Sequence, residues 1–91
     1  MIRIQRKRDD GWKKPPNTRY VGRPTKWGNP FSLKEYDLET SLRLYEEWLD
    51  EKLAADPTFL DALKGMDLMC WCKLSDACHA DIIIRKLDER R

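Results

Sequence analysis

Histidine is nearly absent from this sequence: His79 is the single one in 91 residues. Cysteine is scarce as well, and the three present are an odd number. Cys70 and Cys72 stand too close along the chain for an ordinary disulfide. The disulfide framework of a small secreted domain is therefore a poor fit, and reduced thiols or metal thiolates fit better. No run of about 18 apolar residues occurs, which argues against a membrane-spanning helix, and the first residues lack the apolar core of a secretion signal. These absences lead to the expectation of a cytoplasmic protein. The paired C-x2-4-C knuckles of common zinc modules are missing too.

What is present is concentrated. All three cysteines and the histidine fall within Cys70-Trp71-Cys72-Lys73-Leu74-Ser75-Asp76-Ala77-Cys78-His79. Thiolate and imidazole bind soft metals and serve as nucleophile and base, so chemistry should centre here. Hydrophobic residues make up 41% of the chain and charged residues 37%, enough for one compact core with a well-solvated surface. A chain of this size buries about two-thirds of the surface its unfolded form exposes, so a metal or an oligomeric partner would add useful stability.

The net charge of +2 conceals an asymmetry. Residues 1–31 hold nine Lys and Arg against Asp9 and Asp10, a local charge of +7, which leaves −5 for the remainder. Basic side chains interleaved with Trp12, Tyr20 and Trp27 suit a phosphate-bearing partner, since the cations attract and the rings can stack on bases. The plainer reading is a solvated basic surface.

Met1 to Lys7 alternates Ile2 and Ile4 with Arg3, Gln5 and Lys7, the period of a half-buried first strand, which Asp9-Asp10-Gly11 breaks. Residues 7–18, with Pro15-Pro16-Asn17, read as a flexible basic loop. Arg19-Tyr20-Val21 predicts a second strand ending at Gly22, followed by the Gly- and Pro-rich loop Gly22 to Phe31. That loop is either a structural loop pinned to the core by Trp27 and Phe31 or a ligand-binding one. Leu38, Leu42, Tyr45, Trp48 and Leu49 fall on one face of a helix capped by Asp37. Asp56-Pro57 and Gly65 bracket a short second helix over 57–64, docked by Phe59, Leu60 and Leu63. Met66 to Cys72 predicts a mostly buried strand, and Ala80, Ile83, Ile84 and Leu87 predict a last helix with Arg85, Lys86, Arg90 and Arg91 in its later turns. Ser75 or Asp76 is the expected N-cap, with Cys78 and His79 in the first turn.

Three readings of the cysteine–histidine cluster stay open. A strand, a short loop and a helix N-terminus form a recurrent active-site geometry, in which the helix dipole lowers a thiol pKa; Cys78 or Cys72 would be the nucleophile and His79 the proton carrier, with Arg23 or Lys26 supplying positive charge. Alternatively Cys70, Cys72, Cys78 and His79 hold zinc, although Cys78 and His79 point roughly 100° apart on a helix, so three ligands are easier to place than four. In the third, Cys70 and Cys72 are small core residues and His79 is a satisfied helix-start residue.

The stretch Tyr20-Val21-Gly22-Arg23-Pro24-Thr25-Lys26-Trp27-Gly28-Asn29-Pro30-Phe31, followed by Cys70-Trp71-Cys72 and Cys78-His79-Ala80-Asp81, closely resembles the domain of unknown function 4326 family, small proteins of bacteria and phages. The resemblance implies a single α/β domain over residues 1–91, with a short sheet flanked by about three helices, whose two motifs meet in space. It makes Arg23, Trp27, Asn29, Cys72, Cys78, His79 and Asp81 the site candidates. The expectation is a pocket between the Arg23–Phe31 loop and the Cys72–Asp81 turn for a phosphate-bearing nucleotide or nucleic-acid element. Arg23 and Lys26 would hold phosphate, Trp27 would stack or wall the pocket, and Asn29 would orient the ligand. Cys72 or Cys78 would be the reactive thiol, His79 the acid/base, and Asp81 would orient His79 or satisfy the loop. The alternatives are a zinc-binding structural module on Cys70, Cys72, Cys78 and His79, and a phage protein that binds a host protein.

Overall fold

Three short stretches of extended backbone pair in parallel: β1 (Arg3–Gln5), β2 (Thr18–Tyr20) and β3 (Asp67–Cys70), in the order β1-β3-β2. The structure is a computed structural model and describes residues 2–8 and 10–89. Arg3 pairs with Leu68 and Gln5 with Cys70 on one side of β3, and Thr18 with Asp67 and Tyr20 with Met69 on the other. The ladder runs beyond the strands, since Arg6 N donates to Cys70 O at 2.7 Å and Val21 N to Met69 O at 2.9 Å. A central parallel strand is covered on both faces. Leu68, Met69 and Cys70 are accordingly all buried, and consecutive side chains go inward on both sides.

Helix α1 (Leu38–Ala55) starts where the sequence predicts, with the Asp37 carboxylate accepting from Thr40 N at 2.7 Å. Its buried stripe is Ser41, Tyr45, Leu49 and Leu53, spaced by one helical turn. Helix α2 (His79–Glu89) buries Ala80, Ile83 and Leu87 in the same core as Val21, Leu60, Leu63 and Leu68. The two helices are tied on their solvent side by Glu46, which pairs with Arg85 and Lys86, and by Asp50, whose carboxylate lies 2.9 Å from Lys86 Nζ.

Several expectations are corrected. Residues 57–64 form a turn and a single 3₁₀ turn, Asp61–Leu63, so two α-helices flank the sheet rather than about three. The cause is local. Asp56 Oδ1 accepts from both the backbone N–H and the hydroxyl of Thr58, Leu63 N bonds to Leu60 O three residues back, and Gly65 at φ 74° ends the turn before a second one can form. α2 begins after Cys78 rather than after Ser75 or Asp76, and Asp81 Oδ2 reaches back to Cys78 N at 3.2 Å, the return half of a capping box. The predicted alternation of the first strand is not kept: Arg3, Ile4 and Gln5 are all half-buried, Ile2 just before them is 61% exposed, and the Arg3 side chain is only 8% exposed. Asp9, Arg90 and Arg91, and Met1 at the head of the predicted strand, lie outside the described residues.

Candidate metal centre and its cleft

Ligands of open parallel sheets bind beyond the carboxyl ends of the strands, and there the chain gathers its scarce residues. β3 delivers Cys70, a bend at Trp71 and Cys72 turns the chain out of the sheet, and residues 73–77 loop back to place Cys78 against the first turn of α2. The Sγ atoms of Cys70, Cys72 and Cys78 all lie within 4.8 Å of one another. The Cys70 and Cys78 sulfurs are 3.1 Å apart. Three thiolates on a tetrahedral zinc would lie about 3.8 Å from one another, so this spacing needs only side-chain adjustment to hold one ion.

The surroundings favour sulfur anions. The backbone amide of Ala80, one of those that a helix start leaves without an internal partner, favours the thiolate of Cys78, and that of Cys72 favours the thiolate of Cys70. Hydrogen bonding with Cys70, then with Cys78, drives the Cys72 thiol pKa far down, with Arg3 adding to the effect. The same bonds push Cys78 up, through Cys70 first, and push Cys70 up through Cys72. The three thiols therefore titrate together, and ionisation is favoured most at Cys72, the half-exposed member.

Arg3 is the residue that sequence reasoning missed. Its guanidinium donates to Asp81 Oδ2 at 3.0 Å, to Lys73 O at 3.1 Å and to Leu74 O at 2.8 Å, clamping the cysteine loop to β1. The signal lay in the alternation of β1, where Arg3 occupies the register opposite to Ile2 and Ile4, but a cation at that position reads by default as solvated.

His79 is buried, and its Nε2 lies 2.8 Å from the Val21 carbonyl. A carbonyl can only accept, so Nε2 carries the proton and the Nδ1 lone pair is left facing Cys78 Sγ at 3.5 Å. Burial lowers the pKa of the ring and keeps it neutral. His79 packs edge-on to Tyr45, with centroids 5.3 Å apart, and among the described residues it does not join the three-sulfur set. Tyr45 itself donates to Trp27 O at 2.7 Å, and burial pushes its pKa upward.

The trio forms one wall of a cleft of about 270 Å³. Gly22, Arg23, Asn29 and Phe31 face it from the first motif, and Leu33, Leu38 and Leu42 close the apolar side. The two motifs of the sequence therefore line one cavity. Their residues are placed unequally. Arg23 lies at the rim with an exposed side chain. Asn29 is engaged, donating to Ser41 Oγ at 2.8 Å and accepting from Phe31 N at 2.8 Å, while Ser41 donates to Phe31 O at 2.6 Å. Trp27 is buried in the core, with its indole N–H on Phe59 O at 3.0 Å, and Lys26 Nζ lies 5.2 Å from the centre of its ring, away from the cleft. Asp81 bonds to Arg3 and to Cys78 N, with no hydrogen bond to His79.

Among the described residues no helix is long and apolar enough to cross a membrane. No curated protein and no solved structure matches the chain. A family model does match, over residues 4–89, and it is that of the domain of unknown function 4326 (DUF4326), the family to which this chain belongs.

Proposed function

We propose that the protein binds one zinc ion through the thiolates of Cys70, Cys72 and Cys78, with the fourth coordination position open to the cleft. The observation that carries this reading is the convergence of three sulfurs within 4.8 Å on a cleft wall. Thiolate donors select soft metals, and zinc is the common redox-inert one. Three thiolates around a dication leave one net negative charge, which the N-terminus of α2 offsets. A zinc ion with an open position activates a bound water or polarises a carbonyl. The chain's own part is to shape what reaches that position. Phe31, Leu33, Leu38 and Leu42 exclude water, and Arg23 at the rim attracts an anionic or polar group, so the cleft suits a small ligand with an apolar body.

Native mass spectrometry of zinc-loaded protein, with X-ray absorption at the zinc edge, tests the reading. The expected result is one zinc per chain, with three sulfurs at about 2.3 Å and one lighter donor at about 2.0 Å. Cys72→Ser and Cys78→Ser should each weaken zinc binding by at least about tenfold. A metal-free protein with one fast-labelling thiol at Cys72 would instead make the cluster a thiol site. A four-sulfur shell would mean a closed site shared between chains.

A further inference from the structure

The basic run at the end of β1 has a defined place beside the cleft. Arg6 and Arg8 follow β1 directly, and both side chains reach the side on which Trp71 lies. Both guanidinium groups cover the Trp71 ring, with Cζ at 4.8 Å and 4.7 Å from its centroid, and Arg6 lies 4.9 Å from the Tyr20 ring as well. Gln5, Arg6, Lys7, Arg8 and Trp71 line a separate, wide groove of about 540 Å³. Among the described residues none of these three cations has a carboxylate partner, whereas Arg85 and Lys86 on α2 are fully paired with acids. Asp9 and Asp10 follow the run in sequence, and Asp9 lies outside the described residues. Trp71 is 39% exposed and lines both the groove and the cleft. The groove is thus a track of cations with no carboxylate partner among the described residues, and its one aromatic wall opens into the neighbouring cavity.

From this arrangement we infer that the groove binds a single-stranded nucleic acid, its phosphates on Arg6, Lys7 and Arg8 and a base against Trp71 at the mouth of the cleft. Charge complementarity favours a polyanion, because three adjacent cations, without acidic partners among the described residues, repel one another until phosphate neutralises them. The aromatic surface favours a single strand over a duplex, since only an unpaired base presents its face to a ring. The two guanidinium groups cover the Trp71 ring in the free protein, and their transfer to phosphate would uncover the ring for a base, as in grooves that combine backbone cations with a stacking platform. The inference uses none of the three cysteines and stands whether or not they hold zinc.

Fluorescence anisotropy with a short labelled oligothymidine, read across a salt series, tests it on the full chain. Wild-type protein should bind saturably and weaken steeply with salt. Arg6→Ala with Arg8→Ala should reduce the slope of log affinity against log salt by about 1.4, the value for two lost phosphate contacts on a single strand. Trp71→Ala should weaken binding by about tenfold or more at fixed salt. Arg8→Glu, on an exposed side chain, removes affinity without touching the core, and thermal unfolding of each variant checks that it folds. Cys78→Ser should lose zinc yet keep oligothymidine binding, which separates this inference from the metal reading. Equal loss on Arg43→Ala, an exposed cation of α1, would reduce the effect to general charge and overturn the site. So would competition by duplex as strong as by single strand, or binding of polyglutamate in place of oligothymidine, which would assign the groove to an acidic protein.

Discussion

Three hydrogen bonds run from the Arg3 guanidinium, and each ends on the segment that carries Cys72 to Cys78 or on the Asp81 carboxylate that holds Cys78 N. A buried cation whose partners remain after its removal leaves them unsatisfied, so Arg3→Ala should destabilise the protein by about 2 kcal/mol. For a domain of this size that is a fall of about 8–16 °C in the unfolding midpoint, measurable by circular dichroism. Arg3→Lys should recover only part of it, because one ammonium cannot reach two carbonyls and a carboxylate in the planar fork that Arg presents. Full recovery by Lys would mean that charge alone matters there. His79 calls for a different test. Its protonated Nε2 is committed to Val21 O, so His79→Ala should lower stability by about 1–3 kcal/mol through the orphaned carbonyl yet leave one zinc per folded chain. Zinc lost from a folded His79→Ala protein would make the Nδ1 atom the fourth ligand and close the site.

At the level of elements, the start of helix α1 was legible to the residue because two signals agree: Asp37 as N-cap and apolar residues at helical spacing. The cap predicts a pH effect. Hydrogen bonds from Thr40, side chain first and then backbone, hold the Asp37 carboxyl below the usual carboxylate range. Its folded pKa is depressed, so the capping stability is present above the unfolded value and is lost as pH falls through the folded one. Asp37→Asn keeps an acceptor for Thr40 N, and its stability should fall less steeply than that of wild type on acidification, while Asp37→Ala should be less stable at neutral pH. Parallel acid curves for wild type and Asn would assign the acid sensitivity to other carboxylates. The segment 57–64 misled for a physical reason: Asp56, Pro57 and Gly65 are also the signals of an isolated turn, and eight residues leave too few intrahelical bonds to decide for a helix. The first strand misled on its sides, since β1 has only Arg3–Gln5 in register and its burial is decided by α2 and the cysteine loop rather than by its own alternation. That the three cysteines gather could be read from sequence, because they were confined to one short stretch. Trp27 in the core was one of the two readings open for its loop, whereas the bond from Asn29 to Ser41 of α1 could not be read, since it depends on how the loop lies against that helix.

On the scale of the whole molecule, one continuous core joins the sheet, both helices and the 3₁₀ turn, with Leu49, Leu63, Leu68 and Ile83 fully buried within it. A domain this small sits close to its stability limit, so an ion that ties the end of β3 to the start of α2 should act on global unfolding rather than on one loop. Free zinc at 100 times its dissociation constant adds about 2.7 kcal/mol to the folded state, if the unfolded chain does not bind it, which raises the midpoint by about 10–20 °C. A chelator should return the midpoint to its metal-free value in one cooperative step. The clamp and the ion should also depend on each other, because Arg3 fixes the loop that brings Cys72 and Cys78 to Cys70. In a double comparison of wild type and Arg3→Ala, each with and without zinc, the zinc-dependent rise should be smaller in the variant, since part of the binding energy then goes into ordering the loop. An equal rise in both proteins would show that the three sulfurs are preorganised without Arg3. No rise in either, with zinc bound, would mean that the ion sits on a surface that unfolding does not disturb, and the three-cysteine centre would fall with it.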